Sequence, residues 1–459
     1  MPKELALFIC VLFILRLLVK DRHLRPMTSW ALCLPLLWIV VIGSKPVSFW
    51  FGESIQFQGP RDYAEGSLLD RNVFLLLIIA GLLVVLLRRG IDLKKVLASN
   101  RWLFAFFLFC GISILWSDYP FVSLKRWVKD IGNVVMVLII LTERDAIGAL
   151  RAVFARFTYL AIPLSVLFIK YFPDLGRFYN RWTWEPVYIG VGTGKNGLGA
   201  LVFICGLFLV WDLIQMWTLD GRKIGREQLF ERVVLLLMVA WLMKMANSAT
   251  SLVCLFLGTG ILLFIRRPFA KRQIRYLGSW SLVITLLIFI AYSTQGILET
   301  FVGLVKRDIT LTGRTDLWAE MLTEPINPLI GKGYQSFWLG PGAERLWELY
   351  SYHPNQAHNG YLDTYINVGL IGLGLLLAMI IVAGRNLKNE VLIGGKYGML
   401  LFPFLVTIVL YNWTEAVFNR HSILWLILII AALKPQPPKA MYGPTAENKN
   451  AVSQYGGGK

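Results

Sequence analysis

Apolar runs long enough to cross a bilayer recur from one end of this chain to the other, and basic bursts punctuate them at every second connection. A helix needs about 20 residues to traverse the hydrocarbon core, with a range of about 17–25. Candidate spans lie at residues 3–19, 27–43, 71–87, 101–117, 126–142, 152–171, 197–217, 229–245, 249–265, 276–295, 361–383, 397–413 and 418–434. That pattern predicts an all-α polytopic membrane protein of about 12–13 transmembrane helices. The composition agrees: 56% of residues are hydrophobic, only 16% are charged, and mean hydropathy is +0.59. Soluble domains carry about a quarter charged residues.

The basic connections hold Lys20/Arg22/Arg25, Arg88/Arg89/Lys94/Lys95/Arg101, Arg144/Arg151, Arg222/Lys223/Arg226, Arg266/Arg267/Lys271/Arg272/Arg275 and Arg385/Lys388/Lys396. Positive connections stay in the cytoplasm, so the alternate set faces the exterior: 44–70, 117–125, 172–195, 246–249, 295–360 and 412–421. Thirteen spans put the N-terminus outside. The net charge of +18 is thus a topological signal, with contacts to anionic lipid as its other use, and nucleic acid is not an expected partner. The run Leu5–Leu18 resembles a secretory signal, but its positive flank follows it and no small-residue cleavage site is evident, so it is expected to be a span. All five cysteines fall inside apolar runs without CxxC spacing, which suggests packing residues and neither zinc nor disulfides.

No boundary between soluble domains is visible. Residues 1–435 read as a single bundle, and 436–459, rich in Pro, Gly and Asn, as a disordered cytoplasmic tail. The large outer loop at 296–360 precedes the third-last helix. Loops of this length are usually functional or disordered, and Trp318, Phe337, Trp338, Trp347 and Tyr350 argue for a folded cap on the membrane surface.

Histidine is the side chain most easily used as a base near neutral pH, and the chain has four. His23 falls among cytoplasmic basic residues; His353, His358 and His421 all fall on the outer side. His358 opens the sequence His358-Asn359-Gly360-Tyr361-Leu362-Asp363-Thr364-Tyr365-Ile366-Asn367-Val368-Gly369-Leu370-Ile371-Gly372, where the loop ends and a helix begins. Gly369 and Gly372 are expected to let a neighbouring helix approach closely. An ordinary interfacial histidine fits this position equally well. Arg314, in Gly313-Arg314-Thr315-Asp316-Leu317-Trp318, lies on the same face with Arg177, Arg181 and Lys195. Taken one by one, such bases are more often surface charges than ligands. Glycines flank Lys195, but the GxxxxGK[ST] pattern is missing, as are HExxH and GxSxG. No Asp-x-Asp occurs, so the metal bridge that nucleotide-sugar enzymes often use is not expected. Charges within spans are few and lie near the ends, unlike a proton relay.

The run from His358 to Gly372 fits His-[Asn/Ser/Gln], nine residues, then Gly-x-x-[Gly/Thr/Tyr], at the start of the helix after a large outer loop. In this it resembles the O-antigen ligase and polysaccharide polymerase family. Trp116-Ser117-Asp118 with Ser123-Leu124-Lys125-Arg126, Gly194-Lys195-Asn196-x-x-Gly199, Gly313-Arg314 with Trp318, and Gly331-Lys332-Gly333-Tyr334 are similar to the same family, in the same order. Two features depart from it. The segment Asn247-Ser248-Ala249-Thr250-Ser251 lacks the basic residue that some members carry, and thirteen spans is one more than the twelve usual for the ligases.

The resemblance implies a metal-independent, cofactor-free, inverting glycosyltransferase of the bacterial inner membrane. Its donor would be a glycan on undecaprenyl diphosphate, and its active site would face the periplasm. His358 would be the general base and Arg314 the partner of the leaving diphosphate. Arg181, Lys195, Arg177, Asn359 and Trp318 would contact diphosphate or glycan. Membrane lipid, a flippase and a chain-length regulator of the same pathway are the implied partners. The wording around Trp116–Arg126 and His358 is closer to exopolysaccharide polymerases than to ligases that transfer glycan to lipid A-core. A transporter of lipid-linked glycan is the reading from another class; it expects internal repeats and polar groups at mid-membrane, and no repeat is evident by eye.

Overall fold

The computed structural model describes residues 1–24, 29–52, 67–88, 92–179, 184–219, 225–276 and 314–434. The expected tail at 436–459, and nearly all of the candidate span at 276–295, lie outside them. Among the described residues the principal helices are α1 (Lys3–Leu24), α2 (Cys33–Gly43), α3 (Leu68–Leu87), α4 (Arg101–Ile112), α5 (Pro120–Leu141), α6 (Ala146–Tyr171), α7 (Lys195–Leu219), α8 (Arg226–Ala246), α9 (Ala249–Phe264), α10 (Arg314–Leu322), α11 (Pro341–Leu349), α12 (Gly360–Leu392), α13 (Lys396–Tyr411) and α14 (Ile423–Ala432). A two-stranded antiparallel hairpin, β1 (Arg177–Tyr179) with β2 (Pro186–Tyr188), sits between α6 and α7, with Phe178 opposite Val187.

Local chemistry sets the helix starts. Ser67 accepts from the Leu69 amide ahead of α3, Asp145 from the Gly148 amide in α6, and Ser422 from the Trp425 amide in α14. Each satisfies a donor that the first turn leaves open. The segments Leu68–Leu87, Ala146–Tyr171, Lys195–Trp217 and Gly360–Leu392 are individually long and apolar enough to cross a membrane; Ala249–Phe264 joined to Pro268–Arg275 would make a fifth. Apart from 276–295, the remaining expected runs also coincide with helices among the described residues, though several are short. At ten residues α14 spans only about 15 Å, and every one of its residues is buried within the bundle. α3 shows the other extreme: Leu75, Leu76, Ile79, Leu82, Leu83 and Leu86 are all exposed, an apolar face suited to lipid. This is an all-α polytopic membrane protein.

Residues 314–359 fold over one end of the bundle. Leu317, Met321, Phe337, Trp338, Ala343, Leu346 and Ala357 form a second apolar cluster that includes Ile366 of α12. The join is made of backbone. α12 breaks at Gly369, whose φ is +65, and Leu370 and Ile371 there donate to the carbonyls of Pro328 and Leu329 at 2.9 and 3.1 Å. Lys332 and Gly333 donate in return to the carbonyls of Ile366 and Asn367 at 2.9 and 2.8 Å. A Cβ on Gly369 would lie 2.2 Å from the Leu329 carbonyl, and one on Gly331 (φ +69) 2.5 Å from that of Asn367. Gly369 therefore serves a helix break against the cap, and its expected role in helix–helix approach is corrected. Gly372 does face a neighbouring helix, with Phe109 of α4 at 3.3 Å from an added Cβ.

Below the cap, Asp130 of α5 is buried and accepts from Tyr334, Trp425 and Asn133 at 2.6, 2.8 and 2.7 Å. Buried carboxylates persist only when hydrogen-bonded. This one ties cap, α5 and α14 together. The Trp116 indole donates to the Ile330 carbonyl and Arg126 to that of Gln335, so motifs two hundred residues apart in sequence meet around the same loop.

Candidate active site

Glu415 is the hub of the site. It lies in the connection between α13 and α14, which turns tightly because Asn412 accepts from the amides of Val417 and Phe418 at 3.0 and 3.2 Å. The Gly360 amide donates to the Asn412 carbonyl at 2.8 Å, and a Cβ at Gly360 would lie 2.0 Å from the Asn412 side chain. Only glycine lets this connection lie against the start of α12. The carboxylate of Glu415 thereby arrives beside His358.

His358 Nδ1 is 3.2 Å from Glu415 Oε2, and Arg314 Nη2 is 3.5 Å from Oε1. Arg314 also donates through Nη1 to the Thr414 carbonyl. Asn196, in the first turn of α7, donates to Glu415 Oε1 at 2.8 Å. The base and the cation singled out from sequence are thus separated by one carboxylate. Glu415 is buried, whereas His358 and Arg314 keep part of their surface open, at 26% and 21% of their side chains. His358 holds φ +49, an unusual conformation for a residue with a side chain and one that clusters at functional sites.

A neutral His358 that donates from Nδ1 to this carboxylate would present the lone pair of Nε2. This is the arrangement by which a carboxylate orients a general base. Among the described residues Arg314 contacts the Thr414 carbonyl and Glu415, and a guanidinium carries five donors in all. A hollow of about 200 Å³ opens beside Glu415, lined by Asn196, Thr193 and Tyr411 among others.

Other expected residues have different positions. Lys195 is exposed at the first residue of α7; its neighbour Asn196 makes the contact to the hub. Arg177 donates to the Ile169 carbonyl near the end of α6 and stacks on Tyr188 at 5.4 Å, so it fastens the hairpin to a helix terminus and is not brought to Glu415. Asn359 caps α12 by accepting from the amides of Tyr361 and Leu362. Trp318 donates to the Ala357 carbonyl at 2.6 Å, one residue before His358, and so holds that turn. Arg181 lies outside the described residues. His353 stacks on Trp347 at 4.7 Å. Thr250, in the segment that lacks a basic residue, bonds the Thr414 hydroxyl at 2.8 Å. Among the described residues no three His, Cys, Asp or Glu side chains converge as a metal-binding group.

Sequence reasoning missed Glu415 and Asn196. Glu415 had one visible signal, being the sole acid in the outer connection 412–421.

A polytopic helical bundle, capped at one end over an oriented histidine and an arginine, defines a membrane enzyme of polysaccharide assembly, and the chain belongs to the O-antigen ligase and polysaccharide polymerase family. A profile for O-antigen ligases matches residues 233–377, a stretch that includes Arg314 and His358 and ends before Glu415. The exopolysaccharide production protein ExoQ of Rhizobium meliloti (strain 1021) is 30% identical over 395 residues, covering 77% of this chain and 86% of that protein.

Proposed function

We propose that this protein is a polymerase that extends a glycan carried on a lipid diphosphate, at the outer face of the bacterial inner membrane. The single observation that carries the reading is His358 and Arg314 meeting on the two oxygens of Glu415. An acceptor sugar hydroxyl attacks the anomeric carbon of the donor. The new carbon–oxygen bond forms as the bond to the diphosphate oxygen breaks, and that oxygen leaves with the electron pair. The hydroxyl proton passes to Nε2 of His358, while Glu415 steadies the imidazolium that results. General-base help of this kind contributes about 10²–10⁴ in rate. Arg314, assisted by Lys195, meets the growing charge on the diphosphate; preorganised charge is usually the largest catalytic term. Two cations would do here what a metal does elsewhere. Displacement in one step inverts the anomeric centre. The exopolysaccharide relative favours polymerase over transfer to lipid A-core. A flippase would supply the donor, and a chain-length regulator would act on the product.

The glycolipids of a deletion strain test the reading. Single lipid-linked repeats should accumulate and high-molecular-weight polymer should vanish. Long unligated chains accumulating instead would assign the ligase reaction.

A further inference from the structure

Asp363 stands in the first turn of α12 and is buried. Its carboxylate accepts from three separate segments. Oδ1 takes the Trp338 indole of the cap at 2.7 Å and the Ala357 amide at 3.2 Å, while Oδ2 takes Arg420 Nη2 at 3.0 Å. In a capping box, a side chain of the first helical turn reaches back to the amide of the residue before the helix. Asp363 reaches farther back, to the residue directly ahead of His358. Ala357, itself fully buried, thus has both backbone groups bonded to side chains, because the Trp318 indole donates to its carbonyl at 2.6 Å. His358 follows with φ +49, a conformation that persists only where the surroundings over-determine it.

The other oxygen reaches the segment that carries Glu415. Arg420 lies five residues beyond Glu415 in the same connection, and its Nη2 also donates to the Asn355 carbonyl at 3.0 Å. This connection meets the start of α12 at two further points: the Gly360 amide on the Asn412 carbonyl at 2.8 Å, and Asn419 Nδ2 on the Thr364 hydroxyl at 3.4 Å. The contacts bracket Glu415 on both sides in sequence. Arg420 keeps 26% of its side chain open, onto a cavity of about 770 Å³ whose lining has more cations than anions.

We propose that Asp363 is a positioning residue: one of its oxygens fixes the turn of His358, and the other fixes, through Arg420, the connection that presents Glu415. It touches neither the reacting hydroxyl nor the diphosphate. It sets how the imidazole meets its carboxylate, and charge-assisted hydrogen bonds are short and strong enough to hold such a geometry. The inference rests on the function proposed above, with His358 as base, and adds what keeps that base oriented.

The test reads the imidazole directly and needs no turnover. The full chain in detergent carries nitrogen-15 in its four histidines, and the signals of His358 are those lost in His358→Ala. At mildly alkaline pH the two ring nitrogens of the wild type should resonate far apart, as in one tautomer. In Asp363→Ala and in Arg420→Gln they should move toward their mean as tautomers exchange, whereas Arg420→Lys should keep the wild-type spectrum. Transfer by Asp363→Ala should fall through kcat by about 10–100-fold, with KM nearly unchanged. In a Glu415→Gln background the same substitution should cost almost nothing further, because both act through one imidazole. A wild-type spectrum in Asp363→Ala with unchanged melting overturns the proposal, and so does full additivity with Glu415→Gln. If Asp363→Ala does not fold, Arg420→Gln, whose side chain opens onto the cavity, decides in the same way: an unmoved spectrum there overturns it. Moved signals in a chain whose wild type never extends lipid-linked glycan keep the positioning role and sink the polymerase reading. Glycan extension by the wild type with unmoved signals in both variants does the reverse.

Discussion

The two ends of the bundle use their charges differently. At the end of the basic connections, charges are matched to partners. Asp212 meets Arg151 and Arg232 at 2.5 and 3.0 Å, Asp21 meets Arg156 at 2.9 Å, Glu231 meets Lys20 at 3.0 Å, and Glu143 meets Arg88. At the cap end one carboxylate is shared by a histidine, an arginine and an asparagine, and a cavity beside it has more cations than anions. Closed pairs hold helices together. Open or over-subscribed charges are what chemistry on an anionic substrate requires.

Substitutions can break or sharpen that contrast. The largest effect on the folded protein is expected from Asp212→Asn, at the closed end. Asp212 is fully buried between two arginines, and removing one partner of a buried pair costs about 3–5 kcal/mol. Thermal unfolding in detergent should drop sharply, and the specific activity of the protein that remains folded should be near normal. Glu415→Gln is the counterpart at the open end. Its amide can no longer hold the imidazolium of His358, and losses of such orienting groups typically run to about 10–100-fold. Transfer should fall by that factor with little change in melting temperature; a large stability loss with normal turnover would make Glu415 a structural residue only. Arg345→Ala, on the exposed side of the cap, removes contacts to Glu320 and Glu324. Exposed pairs contribute about 0–1 kcal/mol, so neither melting nor transfer should move measurably.

Much of the fold was legible because bilayer length and the positive-inside rule act on any chain, whatever its partners. The helices α3, α6, α7 and α12 fall where apolar length alone puts them. The shorter α14 could be located but not understood, since a ten-residue helix sits at the centre only because others shield it. The site was legible in part. His358 and Arg314 stood out as chemical types on the outer face. Glu415, 57 residues from His358 in sequence, reaches it only because Gly360 and Asn412 press two connections together. No local pattern encodes that contact. Asn359 and Arg177 show the converse: polar residues at a promising spot whose side chains also bond the backbone at a helix end.

The most direct test is transfer by the purified full-length chain, supplied with a lipid-diphosphate-linked oligosaccharide as both donor and acceptor. The wild type should build a ladder of longer products, and His358→Ala and Arg314→Ala, inserted and melting normally, should each leave the substrate unextended. A near-normal ladder from either variant would contradict the pairing of base and cation on Glu415.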